Sequence, residues 1–369
     1  MTTIMKASHQ WMTRPADQRF VSLLEMAEYK NRIRDRSQSK VVPSRSIEAV
    51  ADERDMRSLS IVGPNGGALT ATNWSFGQLA QLVKAPAAYL RGLPAPLAAD
   101  CINYGLVSRD VEEVGVLMFG DKEAAVPTNQ LTAITGPNYG RIWDADIIAG
   151  LVERFGDGVT GDFKVPGEWG RDVPVTRENT TLYASDRDMF VFLCDEKHRI
   201  EIPNRRNGEA GTLARGFFVW NSEVGSRSFG VATFLFDYVC GNRIVWGAEE
   251  YSEFTLRHTS SAPGRWIDEI APAIDAYANA SSRNVVAAIE NAKKQKIEDD
   301  VVQFLAKRRK FSFRQAEAIQ AVHVAEEGRP METIFDVVTG VTAYAKRVTY
   351  QDDRVELERE AGKIMALAA

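Results

Sequence analysis

A change of hydrophobic period most limits what this chain can fold into. From about residue 110 to residue 262, β-rich runs succeed one another: VGVLMFG, TLYASD, MFVFLCDE, ARGFFVWNSEV, SFGVATFLF and SEFTLRHT. MFVFLC is apolar at every position, so both faces of that strand must be covered, by helices on at least one side. After residue 263 the spacing becomes helical. Trp266, Ile270, Ile274 and Tyr277 form one stripe, which continues through Val285, Val286 and Ile289 beyond a kink near Pro272. Ser312 with Gln315 is a capping-box pattern opening a further helix that Gly328 and Pro330 end. Ile334, Val337, Val338, Val341 and Tyr344 make another stripe, and a charged helix follows from about Asp353.

Before residue 110 the signals are weaker. Phe20, Leu23, Leu24 and Ala27 make a short helical pattern in a polar arm, which runs into the basic residues 30–36. A clearer helix starts near Trp74 and stops before Pro86, and short helices follow through Leu90 and through Cys101 and Tyr104. Within the β-rich part, residues 142–155 read as one amphipathic helix between Gly136-Pro137 and Gly156. The expected class is α+β, a central, largely antiparallel sheet with packed helices and a helical C-terminal extension. Its parts are residues 1–109 (arm and helices), 110–262 (sheet core) and 263–369 (helical region).

Composition excludes several classes. Of 369 residues 44% are hydrophobic, enough for a large core, and a net charge of −5 excludes a histone-like polycation. Cys101, Cys194 and Cys240 are an odd number without a C-x-x-C pair, which suits free thiols in a reducing cytoplasm. No run of about 18 apolar residues could span a bilayer.

Chemistry-bearing motifs are sparse. The G-x-S-x-G, Walker A and dinucleotide patterns are absent, so no catalytic residue and no cofactor is assigned. His9, His198, His258 and His323 lack a nucleophile context, and His323 lies on the apolar side of a helix, as a core histidine does. Asp186 and Asp188 in ASDRDMF would share a strand face toward a divalent ion, with Glu223 as a third ligand in a nuclease reading. A polar hairpin turn explains the same residues better, so no metal is assigned. Two basic groups remain. Arg199, Arg205, Arg206 and Arg215 surround a hairpin beside Phe217, Phe218 and Trp220, where phosphate contacts and base stacking would combine. Lys307, Arg308, Arg309 and Lys310 form the second, which could equally end a helix whose C-terminal partial charge they offset. A solvated turn is the competing explanation of the first.

The stretch from residue 216 to residue 247 resembles the signature of the domain-of-unknown-function 932 family, a strand ending in N-S-E-V-G followed by V-C-x-N. Those positions are Asn221, Ser222, Glu223, Val224 and Gly225, then Val239, Cys240 and Asn242, with Arg243 where many relatives have glycine. WMTRPADQRF, FGQLAQLVKAPAAYLRGLP, FDVVTGVTAYAKR and RVELEREAGKIM extend the likeness over most of the chain. The resemblance implies a phage or plasmid context and no settled activity. With the basic hairpin, it makes a non-enzymatic DNA-metabolism protein the leading expectation, with single-stranded DNA and further copies of the chain as partners and a fold analogous to single-strand annealing proteins. An accessory protein that binds host proteins is the alternative. For the motif itself, Asn221, Ser222 and Glu223 can tie a turn while Gly225 permits positive φ.

Overall fold

The computed structural model describes residues 14–52, 55–63, 66–108, 112–123, 127–165, 174–178, 180–206, 209–237, 242–244, 253–280, 283–308, 311–348 and 351–368. Among these described residues it is an α+β fold built on two sheets, one of nine strands and one of six. The first uses β1 (Arg19–Phe20), β8 (Phe163–Lys164), β9 (Leu182–Ala184), β10 (Met189–Asp195), β11 (Ile200–Arg206), β12 (Glu209–Asn221), β13 (Phe229–Asp237), β14 (Asn242–Ile244) and β15 (Glu253–Leu256). Every pairing in it is antiparallel, along the path β1-β9-β10-β12-β13-β14 with β11 on β12, β15 on β13 and β8 on β10.

The six-stranded sheet corrects the expectation of a single sheet. Its strands are β2 (Ser37–Pro43), β3 (Glu48–Asp52), β4 (Asp55–Val62), β5 (Ala68–Ala71), β6 (Glu113–Asp121) and β7 (Thr128–Thr135), in the order β2-β6-β7-β5-β4-β3. The β signals after residue 110 therefore divide. β6 and β7 pair with the earlier strands, through β2 against β6 and β5 parallel to β7. The early strands escaped the period test because their outward positions are polar: Ser37, Gln38, Ser39 and Lys40 precede the one buried residue of β2, Val42.

Helices fill in around these sheets. α1 (Leu23–Asp35) buries Leu23 and Met26, so the presumed arm is part of the core. α2 (Asn73–Leu82), α3 (Ala87–Gly92) and α4 (Ala95–Ser108) pack on the six-stranded sheet through Leu79, Leu90, Ile102 and Leu106. α5 (Asp144–Phe155) places Ile147, Ile148 and Leu151 on the larger sheet. α6 (Ala262–Arg265) and α7 (Ala271–Ala278) are joined by a π-helical turn, Trp266–Ile270. That turn meets the expected kink, because Pro272 has no N–H for the carbonyl four residues earlier and the helix widens to compensate. Trp266, Ile270 and Ile274 are buried against the sheet, with Trp266 edge-on to Phe229 at 4.9 Å. α8 (Arg283–Lys294), α9 (Val301–Gln303), α10 (Phe313–Glu327), α11 (Ile334–Ala345) and α12 (Gln351–Met365) complete the chain. The Ser312 capping box is present, and Gly328 ends α10 in the left-handed region.

β10 and β12 run through the middle of the larger sheet, and every residue of β10 is buried, as its unbroken apolar run requires. Phe217 and Val219 face α1, α5 and Trp266, while Phe218 and Trp220 face the opposite way with Phe192, Phe234 and Val355 of α12. Gly230 sits opposite Trp220, where a Cβ would lie 2.1 Å from the indole ring. Cys194 is a fully buried small hydrophobe, as expected; Cys240 lies outside the described residues. No helix is long and apolar enough to cross a membrane among the described residues.

Candidate functional site at the end of strand β12

Where β12 leaves the sheet, Asn221, Ser222, Glu223, Val224 and Gly225 become the meeting point of three parts of the chain. The Asn221 amide donates to the Ile142 carbonyl at 2.8 Å and to Asp144 Oδ1 at 2.7 Å. Ser222 Oγ donates to the Arg187 carbonyl at 2.6 Å and accepts the Ser226 N–H at 3.0 Å, closing the turn that Gly225 permits at φ 79°. Glu223 Oε1 accepts the Asp144 N–H at 2.8 Å and so caps α5 from a distant segment, where the helix dipole favours a carboxylate.

Three successive carbonyls of the motif are also taken by side chains. Tyr139 Oη donates to Ser222 O at 2.8 Å, Arg141 donates to Glu223 O, and Val224 O accepts from both Trp74 Nε1 at 3.0 Å and Gln78 Nε2 at 2.8 Å. Trp74 and Gln78 belong to α2. The motif thereby fastens the six-stranded half of the molecule to the nine-stranded half.

Beneath it lies a buried ionic triad. Lys30 of α1 reaches inward, its ammonium 2.7 Å from Asp144 Oδ2 and 3.7 Å from Glu223 Oε2, with a hydrogen bond to the Ser185 carbonyl at 3.3 Å. Burial opposes the charge of Lys30, but the two carboxylates outweigh it and hold the ammonium above its usual range. Burial and the adjacent Asp144 carboxylate push Glu223 up to about 7, against the pull of Lys30. The cause is charge balance. One ammonium faces two carboxylates in a dry site, so one carboxylate holds a proton near neutrality. His258 stacks on Tyr139 at 4.8 Å with Nδ1 3.0 Å from the Gly140 carbonyl, and burial lowers its basicity.

The ASDRDMF segment is the hairpin turn between β9 and β10. Asp188 is buried there between Arg14 and Arg227, so it makes no triad with Asp186 and Glu223. Among the described residues no group of three His, Cys, Asp or Glu side chains could hold a metal ion. His323 is buried in the C-terminal helices, 3.3 Å from Thr339 Oγ1, as a core histidine. His198 pairs with Asp195 at 3.0 Å after β10, and His9 lies outside the described residues.

The basic hairpin forms as β11 and β12, with a register shift at Pro203, which has no N–H for the ladder. Arg205 and Arg206 are the last two positions of β11, beside the turn. Arg199 precedes the strand, half-exposed, with Nε on the Glu196 carbonyl at 3.1 Å. The register Ile200↔Leu213 leaves Arg215 beyond the end of β11, where it is buried at 5% exposure. Phe217, Phe218 and Trp220 are buried as well, so base stacking on them is closed off. Lys307 bonds Gln303 at 2.9 Å in a π-helical turn, Phe304–Arg308, which holds Arg308; Arg309 and Lys310 lie outside the described residues. Asn242 opens β14 opposite Asp237.

Sequence reasoning found the motif and missed its partners. Lys30 had a readable signal, since it follows Leu23 and Met26 at helical spacing on the buried side of α1. Asp144, Arg141 and Tyr139 had none, because only the fold brings them to Glu223.

A family described as Domain of unknown function (DUF932) matches residues 175–363, just over half of the chain. No curated protein and no solved structure matches.

Proposed function

We propose that this chain, which belongs to the domain of unknown function (DUF932) family, is a non-enzymatic DNA-metabolism protein of phages and plasmids that holds single-stranded DNA in the bacterial cytoplasm. The observation that carries the reading is the β11–β12 hairpin, with Arg205 and Arg206 beside its turn and Arg199 at its base. Arginines there would meet phosphates through paired hydrogen bonds. Because the neighbouring aromatics are buried, binding rests on phosphate charge and is insensitive to base sequence. The motif supports a non-enzymatic role. Asn221, Ser222 and Glu223 are committed to holding segments together, and annealing needs no nucleophile.

Fluorescence anisotropy with single- and double-stranded DNA at two salt concentrations tests this directly. Tight, salt-dependent binding of the single strand is the expected result. No binding at low salt contradicts it and favours an accessory protein that docks on host proteins, which the net charge of −5 also suits.

A further inference from the structure

The basic hairpin is bent where its charged end begins. β11 pairs with β12 through Ile200↔Leu213, Glu201↔Thr212 and Ile202↔Gly211, and the register then shifts before Arg206↔Glu209. Pro203 falls in the break because it has no N–H for the ladder, and a bulge of this kind turns the strand beyond it. The inner part of the hairpin is held from one side, where Ile200, Ile202 and Leu213 share an apolar cluster with Ile289 and Ala292 of α8 and Phe335 of α11. The outer part, with Arg205 and Arg206, is tied to β12 at Arg206↔Glu209. At the bend itself one side chain reaches across from the helices. Lys293, in the last turn of α8, donates from Nζ to the Pro203 carbonyl at 2.7 Å and to Glu290 Oε1 at 2.9 Å, and its ammonium lies 5.7 Å from the centre of the Phe335 ring.

We infer that Lys293 is the positioning residue of the hairpin: its ammonium clamps the bend at Pro203 and so fixes the direction in which Arg205 and Arg206 leave the sheet, without touching DNA itself. Two of its three N–H groups are engaged by Pro203 and Glu290, and the side chain is only 19% exposed, unlike a lysine that meets phosphates as a mobile point charge. Bulges re-aim side chains beside functional sites. Without a clamp the bent end would swing, and ordering it on each encounter would oppose binding. The consequence for DNA rests on the function proposed above; the consequence for the hairpin does not.

Hydrogen exchange and DNA affinity of the full chain test the clamp separately. Lys293→Met, with Lys293→Gln as a polar alternative, should leave the circular dichroism spectrum and the exchange of β10 unchanged and speed exchange of the β11 amides several-fold. Lys293→Arg, which still reaches the carbonyl, should keep those amides protected. With a single-stranded oligonucleotide, Lys293→Met should weaken binding on its own and have no further effect beside Arg205→Ala/Arg206→Ala, the mark of residues that act through one another. Unchanged β11 exchange in both neutral variants would overturn the clamp whether or not DNA binds. An equal loss of affinity with and without the hairpin arginines would make Lys293 a direct phosphate contact and overturn its positioning role. No DNA binding by any of these chains would count against the proposed function alone, because the exchange result then decides the clamp.

Discussion

Lys30 Nζ lies 2.7 Å from Asp144 Oδ2 with both side chains at most 4% exposed, so a helix at the start of the chain is pinned by charge to the first residue of α5. With Glu223 as third member, the pair couples α1, α5 and the end of β12 in one dry site. Its worth lies in what happens when it is broken.

Removing the cation alone should be costly. Lys30→Met leaves the Asp144 carboxylate buried beside Glu223 without its cation, and breaking a buried pair in this way costs about 3–5 kcal/mol. Adding Asp144→Asn to Lys30→Met should restore part of that stability, because the carboxylate 2.7 Å from the ammonium then disappears with its partner. Urea denaturation of both variants measures the coupling. Additive effects would mean that the two residues do not share a site.

Stability should depend on pH through Glu223. Its native carboxyl titrates at about 7 and its unfolded one near 4.5, so between those values the native state holds a proton that the unfolded state has released. The group's contribution therefore falls as pH rises from 4.5 to 7 and is constant above that. Glu223→Gln should flatten this part of the profile. An identical slope in wild type and variant would assign the dependence elsewhere.

Thiol reactivity should separate the cysteines. In a Cys240→Ser background, Cys101 should label rapidly in the native protein, and Cys194 only at the rate of unfolding. Fast labelling of both would contradict the burial of β10.

Much of the fold was legible because it is local. The all-apolar run of β10, the hairpin at residues 200–221, the capping box at Ser312 and an irregular helix near Pro272 all follow from residues close in sequence, although the π-helical form of that irregularity does not. What was not legible depends on pairing over long distances. Nothing in VGVLMFG says that its strand joins β2 and not β10, since an alternating or apolar run is silent about its neighbour. Arg215 looked like a hairpin cation because its strand continues far past the hairpin and into the core. The N-S-E-V-G motif was visible, but its role as a fastening between halves needed Tyr139, Arg141, Trp74 and Gln78 in place.

Single-strand binding stands or falls most directly on the hairpin arginines. The decisive measurement is the salt dependence of single-stranded DNA affinity for Arg205→Ala/Arg206→Ala against wild type, with alanines at Lys307, Arg308, Arg309 and Lys310 as the comparison. Weaker binding to every sequence is expected, with a salt slope lower by about 0.7 for each phosphate that the variant no longer neutralises. An equal effect of the second set would place both clusters along one DNA path. Unchanged affinity and slope in a folded hairpin variant would contradict the proposed function and leave these arginines a solvated turn.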